Sequence, residues 1–460
     1  MNSERIVQDM PSQGSFRVIP RAEHSISRKS ISSGALRVLY RLHESGYQAF
    51  LVGGAVRDLL LGGHPKDFDI ATNATPEEVR ALFRNCRLIG RRFRLAHVVF
   101  GREIVEVATF RGSSDDGSGD RHLVDGRLVR DNVYGTLEED AIRRDFTVNA
   151  LYYDIADFSV RDAVGGMADL EHRTLRLIGG PELRYREDPV RMLRAARLAA
   201  KLEFEIDPET AAPFATLGSL LSEAPPARLF DESLKLFLGG YGLASFRALE
   251  RHGLLEHVFP ATARVLAGGR SAPFRRLIEQ TLENTDARVR EDKPVTPAFL
   301  FAAMLWEPMR IAAQALADDG ADVASAWTHA VDRVLREQAQ RVAIPRRFTI
   351  TIEEIWALQP RFTQRTKKRA FRLLEHPRFR AAYDFLVLRA EGSPELSELA
   401  TWWTEAQEAS HDELAARLAA VQSTSTDATT PAPRKRARRR RRKAKPDAGT
   451  AAGQANDSGD

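Results

Sequence analysis

Two aspartates flanking one apolar residue, Asp67-Phe68-Asp69, stand thirteen residues after the Gly53-Gly54 pair of the stretch LVGGAVRDLLLG. Alternate side chains of an extended chain share a face. Read as a strand, DFDIA turns Asp67 and Asp69 one way and sends Phe68 and Ile70 into a core. Neighbouring carboxylates repel each other unless a cation lies between them. Magnesium suits that place, since it takes oxygen ligands from one or two carboxylates and completes its octahedron with phosphates and water. The glycines meet the second need of such a site, because a backbone without Cβ atoms can approach a phosphate and aim its N–H groups at it. The segment therefore calls for a strand buried on one face and acidic on the other, working on a nucleoside triphosphate.

The 460 residues allow two to four domains, and a composition of 43% hydrophobic and 28% charged residues is that of a soluble protein. A single cysteine, Cys86, excludes an internal disulfide and a cysteine zinc site. The opening MNSERIVQDM has no apolar secretory stretch, and no apolar run approaches a membrane span, so the expected location is cytoplasmic, without stable membrane insertion. The net charge of +5 is unevenly spread: residues 434 to 445, RKRARRRRRKAK, hold ten of the 68 basic residues, leaving 58 against 63 acidic ones elsewhere. A basic run between Thr/Ala/Pro and Gly/Ala/Asp stretches cannot bury a core; it predicts a disordered tail attracted to nucleic-acid phosphate.

Along the chain, residues 1–33 are polar and Ser-rich and read as a flexible arm. From Gly34 helical and strand-like patterns alternate. Thr75-Pro76-Glu77-Glu78 carries a capping box with proline at the first helical position. AHVVF and EIVEVATF, separated by Gly101-Arg102, form a hairpin signal, and SSDDGSGDRH after Gly112 reads as a mobile loop. After about residue 160 strand signals nearly vanish and helices dominate. The fold class is α+β: a mixed α/β head at 34–175, a helical neck at 176–260, an all-helical body at 261–422 and the Arg-rich tail at 423–460.

A third carboxylate would complete a cradle for two metal ions. Glu106, between Val105 and Val107 on a strand-like run, is one candidate; Asp145, in IRRDFTVNALYYD, is the other. A helix there would put Asp145 and Asn149 on one face beside Arg143 and Arg144. In YREDPVRMLRAARLAAKL, Asp188 and Arg191 stand one helical turn apart and offer an acceptor and a donor to a base edge. Arg194 and Arg197 extend the stripe toward phosphate. His97, in RRFRLAHVVF, is the histidine nearest these elements in pattern, and no P-loop motif is present.

GG, DxD, RRDFTVNALYYD and EDPVRMLRAAR in this order resemble the class II nucleotidyltransferases that extend RNA 3′ ends, the bacterial poly(A) polymerases and CCA-adding enzymes. The segment LIGRRFRLAHVVF, Leu88 to Phe100, is similar to the signature of the poly(A) polymerase branch, as are the helical body and arginine-rich end. The resemblance implies Asp67, Asp69 and Asp145 as catalytic acids, with Mg2+ at Asp67 and Asp69. It implies Gly53, Gly54 and Arg57 at the triphosphate, and Arg144, Asp188, Arg191 and Arg194 in nucleotide binding. The implied activity is template-independent transfer of AMP from ATP to the 3′ ends of mRNA and other transcripts, with RNA-decay proteins as partners; a CCA-adding enzyme, or an RNA-binding adaptor without catalysis, is the alternative.

Overall fold

An eight-stranded mixed sheet carries the N-terminal part of the molecule. The computed structural model describes residues 16–418, apart from 91–93, 113–120, 125–126, 132, 270 and 417. Its strands are β1 (Arg17–Ile19), β2 (Ala49–Val52), β3 (Asp69–Thr72), β4 (Cys86–Ile89), β5 (Leu95–Phe100) and β6 (Glu103–Thr109). The hairpin of β7 (Arg121–Val124) and β8 (Arg127–Asp131) stands apart, and β9 (Leu151–Asp154) and β10 (Val160–Asp162) rejoin the main sheet. The spatial order is β1-β10-β9-β2-β3-β6-β5-β4; β3 and β6 run parallel and all other neighbours antiparallel.

Burial explains the strand sequences. β2, AFLV, sits mid-sheet and is buried on both sides, so its residues run apolar without alternation. One face packs on α1 (Ser33–Glu44) and α3 (Pro76–Leu82), where Val38, Leu42, Val79, Ile70, Val98 and Val107 are almost wholly buried. On the other face Phe50, Val52, Ala71, Phe110 and Tyr152 pack with Leu137 and Ala141 of α4 (Leu137–Arg143). The capping box of α3 forms as its sequence predicts, with Pro76 at the first position, and Thr136 and Glu139 close an equivalent box on α4. Gly101, at φ +62°, turns β5 into β6.

Three expectations are corrected here. Residues 16–33 are not a flexible arm: β1 is an edge strand of the sheet, and Ile19, Ile26 and Ile31 are each at most 5% exposed within the main core. The arm is polar on average, but three isoleucines spaced along it suffice to anchor it. The IRRDFTVN segment is not one helix either, since α4 stops at Arg143 and a 3-10 turn at Thr147–Asn149 follows. Residues 113–120 of the SSDDGSGDRH segment and the basic tail lie outside the described residues, whereas Arg121 and His122 of that segment begin β7 instead of extending a loop.

The register aligns one residue from each strand into a single transverse row: Val18, Arg161, Tyr152, Val52, Asp69, Glu106, His97 and Arg87. Directly paired residues share a face, so this row sets the layout of the site.

α2 (Gly54–Leu60) follows β2, and α5 (Gly166–Glu171) closes the head. The neck begins with α6 (Pro181–Glu187) and α7 (Val190–Leu202); α7 packs on the helices Pro226–Phe237 and Gly242–Arg251. Longer helices at Ala272–Arg290, Pro297–Asp318, Val323–Arg341 and Arg346–Leu358 continue the body. One hydrophobic core runs from Ile19 through Phe385, and a second, centred on Trp403, gathers residues from Leu358 to Leu418. Among the described residues no helix is long and apolar enough to cross a membrane.

The anchoring of the N-terminal segment is testable. Ile26→Ala removes a side chain that is 1% exposed and is expected to lower the unfolding free energy by about 2–4 kcal/mol. Urea titration measures this, and an unchanged midpoint would show the segment to be detached in solution.

Candidate active site

The entry into α2 explains the glycine pair. Gly53, immediately before the helix, has φ +74° and ψ −136°, a conformation that a side chain disfavours. A β-carbon there would lie 3.6 Å from Arg144 Nη1 and 3.9 Å from the Asn149 carbonyl oxygen. Bare backbone thus meets a guanidinium, as a phosphate cradle requires.

Asp69 opens β3, while Asp67 stands just before the strand; both are exposed, and Phe68 and Ile70 enter the core. The strand is therefore shorter than its sequence suggests, although the division between acidic and apolar faces holds. Across the parallel ladder Asp69 faces Glu106. The Asp69 carboxyl is pushed up to about 6, first by the protein packed around it and then by Glu106, with Asp67 adding to the effect and Arg144 and His97 opposing it. Glu106 Oε2 lies 3.3 Å from His97 Nε2. Three carboxylates thus accumulate negative charge at one end of β3.

Arg144 supplies the facing positive charge. Its Nε donates to Tyr152 Oη at 2.8 Å and its Nη2 to Asp140 Oδ2 at 3.0 Å, while Tyr152 Oη donates to the same Asp140 oxygen at 2.7 Å. Burial works against its charge, but Tyr152 and Asp140 outweigh it and the guanidinium pKa is raised. Arg57 is placed differently. At 3% exposure it is buried, with Nε and Nη2 donating to Asp58 Oδ1 at 2.8 and 2.6 Å and Nη1 to Asn149 Oδ1 at 2.5 Å. It braces the loop from below, and its donors are already engaged.

Asp145 is held by partners of its own. Its Oδ2 accepts from Arg194 Nε at 3.0 Å and from Arg194 Nη2, and its Oδ1 accepts from the Phe146 N–H at 2.9 Å and Asn149 Nδ2 at 3.2 Å. Burial raises its pKa, but Arg194 and these donors overcome burial and hold it below the ordinary carboxylate value. The Asn149 contact foreseen from a helix survives through the 3-10 turn instead. Asp145, expected as the third catalytic acid, is bonded to Arg194 of the neck, while Glu106 is the residue paired with Asp69 across the ladder.

The arginines of α7 are likewise engaged inside the protein. Arg191 Nη1 donates to the Arg184 carbonyl at 2.7 Å and Glu187 Oε2 at 2.9 Å, Arg194 holds Asp145, and Arg197 Nε donates to Glu232 Oε1 at 2.5 Å. Only as a periodic pattern is this a basic stripe; each member has an acidic partner. Asp188 caps the end of α6 and accepts from Arg228 Nη2 at 2.6 Å. Lys201 Nζ reaches Asp58 Oδ2 at 3.2 Å, and Arg184 Nη2 donates to the carbonyls of Arg143 and Arg144 at 2.7 and 2.6 Å, so several polar bonds tie the neck to the head. Sequence reasoning missed Arg228, Glu232, Tyr152 and Asp140. Glu232 left a signal, since it falls among Leu229, Phe230, Ser233 and Leu236 on the buried side of its helix.

The donor set fits a hard divalent cation, being oxygen only and short of positive charge. Among the described residues no group of three or more histidine, cysteine, aspartate or glutamate side chains is already gathered so that it could hold a metal ion.

A sheet that presents paired carboxylates beside a Gly-Gly turn and an arginine cluster, with helices following, defines a nucleotidyltransferase. Three family profiles match: the poly(A) polymerase head domain over residues 49–176, the probable RNA and SrmB-binding site of polymerase A over 203–266, and the polymerase A arginine-rich C-terminus over 319–443. Poly(A) polymerase I of Escherichia coli O157:H7 is 56% identical over 397 residues, 85% of each chain. That of Haemophilus influenzae is 47% identical over 396 residues, 85% of this chain and 88% of its own. The CCA-adding enzyme of Lactobacillus johnsonii is more distant, 37% identical over 50% of this chain and 56% of its own. Among solved structures, the Bacillus stearothermophilus CCA-adding enzyme in complex with CTP superposes with a TM-score of 0.54 at 26% identity, covering 85% of this chain and 82% of that one. The Thermotoga maritima CCA-adding enzyme with tRNA shares the fold, with a TM-score of 0.58 at 19% identity over 85% and 86% of the two chains. The chain belongs to the bacterial poly(A) polymerases.

The raised carboxyl predicts a stability effect. A group whose folded pKa of about 6 exceeds its unfolded value of 3.8 makes the metal-free fold lose stability as pH rises through that interval. Asp69→Asn is therefore expected to raise the metal-free unfolding free energy at pH well above 6 by on the order of 1 kcal/mol after allowance for solvent screening, and the melting temperature with it. The gain should vanish at acidic pH, and added magnesium should stabilise the wild type more than the variant. Melting curves over a pH series check both.

Proposed function

We propose that the site transfers AMP from ATP to the 3′ hydroxyl of RNA without a template. The bond from the hydroxyl oxygen to the α-phosphorus forms, the bond to the β-phosphate breaks, and pyrophosphate and a proton are released. The observation that carries this reading is the Asp69–Glu106 pair, lying between the Gly53–Arg144 cradle and an open stretch of sheet. Asp67, Asp69 and Glu106 would hold Mg2+, which when bound neutralises charge on the attacking and leaving oxygens.

The chain's own residues supply positioning. The backbone of Gly53 and Gly54 and the Arg144 guanidinium take the β- and γ-phosphates, while Arg57, bound to Asn149, keeps the loop in place. Asp188 and Arg191 face the adenine edge as acceptor and donor, with Arg228 and Glu187 holding them while no nucleotide is bound. Arg194 serves the nucleotide through Asp145, by fixing the neck against the head. In keeping with the family, RNA 3′ ends are the acceptor and the cytoplasm is the place of action. The match at 203–266 supports RNA and a further protein of RNA metabolism as partners of the neck.

Incubation with RNA and single nucleoside triphosphates tests the activity. ATP alone should give long homopolymer, whereas repeated use of CTP would replace this reading with CCA addition. The assignment of acids is tested separately. Glu106→Gln is expected to lower kcat by at least about 100-fold with little change in melting temperature. Asp145→Asn should lower stability by about 2–4 kcal/mol, because it leaves Arg194 without its charge partner. Full activity of Glu106→Gln would remove Glu106 from the cradle.

A further inference from the structure

In-line displacement places attacking and leaving oxygens on opposite sides of the phosphorus. On the sheet, the glycine turn and Arg144 lie on the β2 side of the acidic pair, since Val52 of β2 pairs with Asp69. The RNA 3′ hydroxyl must then arrive from the β5–β4 side. There the transverse row continues with two basic residues, His97 opposite Glu106 and Arg87 opposite His97.

His97 is held by Glu106. Arg87 is exposed and, among the described residues, forms no ion pair and no side-chain hydrogen bond. Strands in a sheet are about 4.8 Å apart, so Arg87 begins about 10 Å from Glu106 and its side chain can cover part of that gap. Its face is open to solvent. Cys86 and Leu88 of β4 turn to the core, leaving Arg87 and Ile89 on the outer side. Ile89 is 48% and Ile104 53% exposed, one on each side of the row. An isolated arginine on an edge strand can serve only to discourage strand pairing. Here the same residue ends a row that passes through the acidic pair and is flanked by apolar side chains that a ribose or base could cover.

We propose that Arg87, with Ile89 beside it on the same strand and Ile104 across the row on β6, forms the subsite for the last nucleotide of the RNA acceptor, and that the Arg87 guanidinium binds its 3′-terminal phosphodiester. His97 lies between the two functions, paired with Glu106 on one side and with Arg87 on the other. The inference rests on the acidic pair being the catalytic centre, which the Glu106→Gln experiment addresses by turnover.

The subsite itself is tested by binding, without turnover. Anisotropy of 5′-labelled RNA is measured for the full chain and for Arg87→Ala, using RNA whose last linkage is either a normal phosphodiester or an uncharged methylphosphonate. The substitution should weaken binding of normal RNA by about tenfold, leave KM for ATP unchanged, and remove most of the penalty caused by the methylphosphonate. Arg87→Lys should recover part of the loss, because a charge remains without the guanidinium fork. Equal methylphosphonate penalties in wild type and Arg87→Ala would overturn the proposal, as would normal RNA affinity in Arg87→Ala. Melting temperatures matching wild type would confirm that this exposed substitution leaves the fold intact. If Glu106→Gln proves active while the two RNA changes remain coupled, the subsite stands and the placement of the catalytic centre falls.

Discussion

The pairing of β3 with β6 is the constraint on which the site depends. It is the one parallel pair of the large sheet, and it sets Asp69 beside Glu106 on a common face. Neither carboxylate gains stability from the other. Burial first and then this conflict raise the Asp69 pKa, and Ile70, Val105 and Val107 packing beneath hold the pair in place. Burial of the apolar alternates dictates the register, and the register dictates the position of the charges. Binding of a cation therefore relieves repulsion that the core has already imposed.

The surrounding charges divide into two groups. Arg144, Asp140 and Tyr152 form a closed network in which every member has partners, so the guanidinium keeps its charge and orientation without a ligand. Arg57, Arg194 and Arg197 are each committed to a carboxylate or amide of the protein. Breaking such pairs leaves a poorly solvated charge behind. These residues hold other residues of the protein in place.

Much of the architecture could be read from the chain because it rests on local signals. The acidic doublet, the glycine pair, the proline-led helix starts and the change from strand to helix patterns near residue 160 all have short-range physical causes. What escaped reading depended on pairing across long separations. The choice between Glu106 and Asp145 turns on which strand lies beside β3, and periodicity carries no such information. The α7 arginines showed the same gap, because their spacing suggested a basic face while their partners sit on other elements, 35 residues away for Glu232 and 49 for Asp145. The N-terminal segment was misjudged for a simpler reason. Its average polarity hid three isoleucines that find their neighbours only after the sheet has formed.

The bolt between Asp145 and Arg194 also bears on how such a protein can diverge. One half of the bolt belongs to the head and the other to the neck, so neither can drift alone without stranding its counterpart in a poorly hydrated seam. Recombination between relatives that cuts the chain between residues 145 and 194 would succeed only where both parents retain compatible halves. Crossovers beyond the neck leave this junction untouched, and lineages are free to exchange their distal helices more readily than their heads.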